Sequence, residues 1–136
     1  MTLLCSFAGR RLLPAVLGAA ALFVAAPAVA QGDPPAWTRP IAPFNVLGPI
    51  DYVGTEGLAA YLIRTPAGAI LIDAPMEQNA AAIERSIAAR GVKLADVKLI
   101  LLSHAHFDHA GGLAALKKAT GAKLVVGCLL YTSDAA

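Results

Sequence analysis

Every histidine in the chain falls within one stretch of six residues: His104, His106 and His109, with Asp108 among them. The stretch reads Ser103-His104-Ala105-His106-Phe107-Asp108-His109-Ala110-Gly111-Gly112. Imidazole nitrogens and a carboxylate suit zinc, and such a group can hold one ion or two. His104 and His106 are one residue apart, so in an extended turn their rings can converge on one ion. Asp108 and His109 are adjacent and can project toward a second ion nearby. A solvated loop has no need to gather every histidine of a chain behind an apolar run, so metal binding is the chemistry this spacing indicates. Gly111 and Gly112 are expected to let the backbone turn tightly beneath the cluster.

Such a cluster needs rigid elements behind it. Residues 97–102 (VKLILL) form a buried-type strand that feeds the cluster directly. Residues 111–119 read as a short helix, with Gly121 after it, and residues 123–126 begin a further strand. A strand end running through a loop into a helix is where α/β folds display functional groups. Upstream, residues 58–64 and 69–73 read as two strands. Thr65-Pro66-Ala67-Gly68 between them is turn chemistry and makes a hairpin. Residues 44–53 are strand-like, interrupted at Gly48-Pro49. Residues 76–90 read as a helix whose apolar face is Met76, Ala80, Ile83 and Ile87, ended by Gly91. Strands first, then α-β-α-β, predict a layered α/β domain with a mixed sheet.

His104-x-His106-x-Asp108-His109, followed by Gly111-Gly112, resembles the zinc motif of the metallo-β-lactamase superfamily. Tyr52-Val53-Gly54-Thr55-Glu56-Gly57-Leu58-Ala59-Ala60-Tyr61-Leu62-Ile63, then Ile70-Leu71-Ile72-Asp73, resembles its subclass B3 more narrowly. His109 supports that choice, because B1 enzymes generally lack a histidine there and use a later cysteine. The resemblance spans about residues 44–126 and implies the first half of an αββα sandwich. By resemblance, His104 and His106 bind the first zinc, and Asp108 and His109 the second. The family adds one histidine to each ion from its later half, and no histidine follows His109 here. Asp73 matches a family aspartate near the metal loop; it either orients a ligand from behind or caps the turn before the helix.

The implied function is a zinc-dependent hydrolase, with two Zn2+ ions, that opens the β-lactam ring of antibiotics by attack of an activated water. Asp108 would be catalytic as well as ligating, orienting the proton of that water. No GxSxG or SxxK is present to supply a covalent intermediate. HxHxDH is shared with glyoxalase II-like thioesterases, lactonases and phosphodiesterases, which are alternatives, as is a non-catalytic zinc-binding protein. Ser103 could hydrogen-bond within the loop, although the sequence does not decide it. Phe107 is expected to pack, and Trp37, Tyr52 and Tyr61 to be core or rim residues.

Arg10 and Arg11, an apolar run to Ala26, and Ala28-Val29-Ala30 follow the plan of a secretory signal cleaved after Ala30. That predicts a periplasmic or secreted enzyme with residues 1–30 removed. Cys5 leaves with the signal, so Cys128 has no intrachain disulfide partner. Residues 31–43, with Pro34, Pro35, Pro40 and Pro43, form a leader across the surface, and residues 44–126 form the half-domain. Residues 127–136 do not continue the family pattern and are expected to be a foreign tail. Half a sandwich leaves one sheet face uncovered and each zinc one ligand short, so the 136-residue chain is expected to fold poorly and lack the activity of its full-length parent.

The formal net charge is +2. Removing Arg10 and Arg11 leaves 9 Lys and Arg against 9 Asp and Glu, a neutral chain without a basic stripe. That is no electrostatic footprint for nucleic acid or, once the signal is cleaved, for a membrane surface. The partner expected is therefore a small molecule, a β-lactam, and oligomeric state is left open.

Overall fold

The computed structural model describes residues 32–127. The expected signal sequence and most of the expected foreign tail, Cys128 included, lie outside the described residues. Six strands form one sheet in sequential order: β1 Phe44–Leu47, β2 Ile50–Tyr52, β3 Tyr61–Thr65, β4 Gly68–Ile72, β5 Val97–Leu102 and β6 Lys123–Val126. The first four are antiparallel neighbours, while β4–β5 and β5–β6 are parallel. Each parallel pair needs a crossover, and helices supply it: α1 Ala80–Ala89 before β5, then α2 Phe107–Ala110 and α3 Leu113–Thr120 before β6. This is the mixed α/β sheet expected of the metallo-β-lactamase fold.

One face of the sheet is covered. Leu62, Leu71 and Ile100 pack against Ile83 and Ile87 of α1 and Leu116 of α3, all fully buried. Burial of side chains this size contributes about 1.5–3 kcal/mol each. Among the described residues, the opposite face is apolar and carries exposed side chains. Strand register sets Phe44, Tyr52, Tyr61, Ile72, Leu101 and Val125 in one row across all six strands. Phe44 stacks on Tyr52 at 5.1 Å, and Tyr61 meets Tyr52 edge-on at 5.5 Å. Phe44, Leu101 and Val125 are exposed.

Element ends differ from expectation for identifiable reasons. The predicted 76–90 helix begins as a tight 3-10 turn at Glu77–Asn79 and becomes α-helical only at Ala80. Met76 has φ +37°, which cannot join a right-handed helix, yet its side chain is buried with Ala80, Ile83 and Ile87 as the apolar periodicity requires. Gly91 stops the helix with φ +77°. The 58–64 strand starts at Tyr61, because residues 53–60 form a tight loop closed by Val53 N–H on Ala60 O and Thr55 N–H on Leu58 O. The 111–119 helix is α3, which begins two residues later at Leu113, and a separate short helix, α2, precedes it, with Gly111-Gly112 between the two.

The leader is fastened as well as running over the surface. It makes a 3-10 turn at Pro35–Trp37, and the Trp37 carbonyl accepts hydrogen bonds from the buried side chains of Thr55 and Asn79, both at 2.9 Å. A buried carboxylate ties the antiparallel strands to the helix layer. Asp51 on β2 accepts from Asn45 of β1 at 3.0 Å and from Arg90 at the end of α1 at 2.8 Å, and pairs with Arg64 of β3 at 2.9 Å. Burial pushes its carboxyl up, but the bonds from Asn45 and Arg90 and the charges of Arg64 and Arg90 outweigh that and hold it below the ordinary carboxylate range.

Candidate metal centre

The cluster sits where β5 ends. Leu102 is the last strand residue, Ser103 to His106 form the loop, and α2 carries Phe107, Asp108, His109 and Ala110. His106 O accepts from His109 N–H at 2.9 Å and from Ala110 N–H at 2.8 Å, which winds the loop into the helix. That winding folds Asp108 back toward the two preceding histidines. One ligand atom each from His104, His106 and Asp108 lie within 4.8 Å of one another. His104 and His106 meet edge-on with ring centroids 4.8 Å apart, and His104 and His109 lie 3.9 Å apart.

His109 is held from behind. Its Nδ1 is 2.9 Å from Asp73 Oδ2, which leaves Nε2 facing the cluster, 3.5 Å from Asp108 Oδ2. The sequence reading divides the residues as His104 with His106 and Asp108 with His109. The structure brings Asp108 to both groups, converging with the histidine pair and adjoining His109.

Asp73 directly follows β4, the parallel neighbour of β5, and Ile72 pairs with Leu101, so the two strand ends are level. Its N–H donates to Leu101 O at 2.9 Å, and its φ of +63° turns the chain so that the carboxylate faces the loop. An aspartate tolerates that left-handed conformation better than most residues. Both oxygens are used: Oδ1 accepts the Ser103 N–H and Oδ2 the Ser103 hydroxyl, each at 2.8 Å. Of the two roles open to Asp73, the geometry realises contact with the metal loop; no side chain caps the Glu77–Asn79 turn or α1.

The loop is pinned to residues 74–76 by backbone bonds. Ala74 N–H donates to His109 O at 2.8 Å, and Gly112 N–H to Ala74 O at 2.7 Å. The glycine pair serves this approach rather than an unusual turn. Gly111 and Gly112 have φ of −60° and −85°, open to any residue. A Cβ on Gly112, however, would meet the carbonyl oxygens of Met76, Ala74 and Pro75 at 3.0, 3.1 and 3.2 Å, and one on Gly111 would meet Phe107 O at 2.6 Å. Phe107 is exposed, contrary to the packing expected of it, and its ring lies beside that of Trp37, with centroids 6.1 Å apart.

Ser103 is the participant that sequence reasoning left undecided. Its signal is indirect: it follows a strand whose parallel neighbour ends in Asp73, so the two must meet.

The donor set fits a transition-metal ion. Ligands about 2.1 Å from a tetrahedral ion lie about 3.4 Å apart, so the His104, His106 and Asp108 set, whose atoms lie within 4.8 Å of one another, closes on an ion with at most about 1.4 Å of approach. Two nitrogens and a carboxylate oxygen are what zinc accepts when one position stays open.

A family model described as the Metallo-beta-lactamase superfamily matches residues 54–128. Among solved structures, the chain is similar to BJP-1, a subclass B3 metallo-β-lactamase of Bradyrhizobium japonicum, with 52% identity and a TM-score of 0.66 over 68% of this chain and 35% of that one. It is also similar to LRA-12, a class B3 di-zinc metallo-β-lactamase from an Alaskan soil metagenome, with 41% identity and a TM-score of 0.67 over 69% of this chain and 36% of that one. A curated relative, a UPF0173 metal-dependent hydrolase of Anaeromyxobacter sp. (strain K), is 46% identical over 77 residues, 57% of this chain and 27% of its own length. The chain thus spans about a third of the length of these structures and about a quarter of that relative.

Proposed function

The chain belongs to the metallo-β-lactamase superfamily of metal-dependent hydrolases, and on that premise we propose that the full-length protein is a zinc-dependent β-lactamase of subclass B3 type. The observation that supports this most is the convergence of His104, His106 and Asp108 at the end of β5, in a chain 52% identical over its matched part to a B3 enzyme. His104 and His106 hold one ion, and Asp108 and His109 a second. When bound, zinc polarises a carbonyl oxygen and brings the pKa of water down to about 7. Asp108 has two carboxylate oxygens, so one can ligate while the other accepts the proton of the attacking water and fixes its direction. Asp73 keeps His109 Nδ1 occupied, which reserves Nε2 for the site. Phe107 and Trp37 give the rim an apolar surface for the non-reacting part of a substrate. The secretory pattern at the N-terminus supports action in the periplasm or outside the cell, where β-lactam antibiotics are met, and a role in resistance to them.

A second reading keeps the site and changes the substrate. The curated relative is named only as a metal-dependent hydrolase, and a thioester, lactone or phosphodiester would use the same ligands. Zinc-loaded full-length protein offered a chromogenic cephalosporin and an acylglutathione thioester separates the two. Turnover of the cephalosporin with little thioester cleavage is expected. Preference for the thioester would replace the lactamase reading, and inertness to both would exclude these two activities and leave a lactone or phosphodiester as the substrate.

A further inference from the structure

We propose that Asp73 sets the tautomer of two metal-site histidines, His109 directly and His104 through the hydroxyl of Ser103, so that Ser103 is a positioning residue for the metal centre. This rests on the metal-site reading above and follows from counting protons.

As a carboxylate, Asp73 has no proton to give and can only accept. His109 Nδ1, 2.9 Å from Oδ2, must therefore carry the hydrogen, leaving the Nε2 lone pair free. Ser103 has one hydroxyl proton, and the 2.8 Å bond to the same Oδ2 consumes it. Toward everything else the Ser103 oxygen is an acceptor. His104 Nδ1 lies 3.1 Å from that oxygen, so the bond requires a hydrogen on Nδ1 and leaves Nε2 of His104 bare. His109 Nδ1 is farther from the serine, at 3.4 Å, and is already engaged by Asp73. The hydroxyl is thus oriented by Asp73 on one side and read by His104 on the other.

The arrangement is built into the strand ends. The Ser103 N–H is bound to Asp73 Oδ1, so the serine is held at backbone and side chain by one carboxylate. Which ring nitrogen of a histidine is available is set by the hydrogen bond its other nitrogen makes. Substituting partners of this kind costs about 10–100-fold in metal affinity.

The test compares the full-length protein with Ser103→Ala and Ser103→Thr, first without metal and then in a cobalt titration. Long-range nitrogen–proton NMR of the histidine rings at pH 8.5, where free imidazole is neutral, reads the tautomers directly. In the parent protein His104 and His109 should both carry the proton on Nδ1. Ser103→Ala should lose that preference at His104 while His109 keeps it, and Ser103→Thr, which restores the hydroxyl, should recover it. Cobalt affinity should fall about 10–100-fold in the alanine variant and return in the threonine variant. An Nε2-protonated His104 in the parent, or an unchanged His104 in a folded Ser103→Ala protein, overturns the proposal. Absence of cobalt binding in every variant would contradict the metal reading, while the metal-free spectra would still decide the role of Ser103.

Discussion

Asp73 Oδ2 and His109 Nδ1 lie 2.9 Å apart, joining the end of β4 to the helix that follows β5. The contact spans two parallel strands and sets how the metal loop sits on the sheet. Asp73 is nearly buried and adopts φ +63°, a conformation held only where the surroundings over-determine it.

Replacing Asp73 by Asn keeps the shape but offers an N–H where His109 needs an acceptor. Metal affinity of the full-length protein should fall about 10–100-fold, measured by competition with a chromogenic chelator. Unaltered affinity would show that the contact does not orient the ligand.

Gly112→Ala places a Cβ against three carbonyl oxygens at 3.0 to 3.2 Å. The loop must lift from residues 74–76, at a cost of about 1–3 kcal/mol. Urea unfolding checks this, and a midpoint equal to the parent's would mean that the backbone gives way freely.

Ile87→Ala empties the contact between α1 and the sheet. A loss of about 2–5 kcal/mol is expected, with metal affinity unchanged under conditions below the unfolding transition, where the variant is folded. Loss of affinity in the folded variant would mean that the site depends on α1 directly.

Asp51 gives a pH dependence. Its folded carboxyl titrates below the unfolded value of 3.8, so it stabilises the fold above that pH. The contribution is lost as pH drops from about 4 through the folded pKa. Asp51→Asn should be less stable than the parent at pH 7, and the difference should shrink below about pH 4. A gap that persists undiminished to pH 2 would assign it to packing rather than charge.

Much of the fold and site is legible in the sequence. The apolar face Met76, Ala80, Ile83 and Ile87 is buried as its spacing required, and the 97–102 strand runs straight into the histidines. What was hidden came from long-range contact. Met76 keeps its place on the buried face but leaves the helix, because residues 74–76 are bound to the metal loop; no local pattern carries that information. Gly111 and Gly112 were read as turn formers, whereas their φ angles are ordinary and their need is closeness to a carbonyl-rich neighbour. The apolar character of Phe107 suggests packing, yet at the first position of α2 its side chain is exposed. The link from Asp73 through Ser103 to His104 spans 31 positions in sequence and becomes visible only once β4 and β5 are seen as parallel neighbours.

His104, His106, Asp108 and His109 are proposed to hold the metal that opens a β-lactam ring. The most direct measurement follows the absorbance of a chromogenic cephalosporin with chelator-stripped full-length protein as zinc is added stepwise, in the parent and in His106→Ala. The account expects negligible hydrolysis without metal, recovery that saturates at a fixed zinc ratio, and a loss of at least about 100-fold in the variant. Hydrolysis that survives stripping, or that His106→Ala leaves intact, would contradict it.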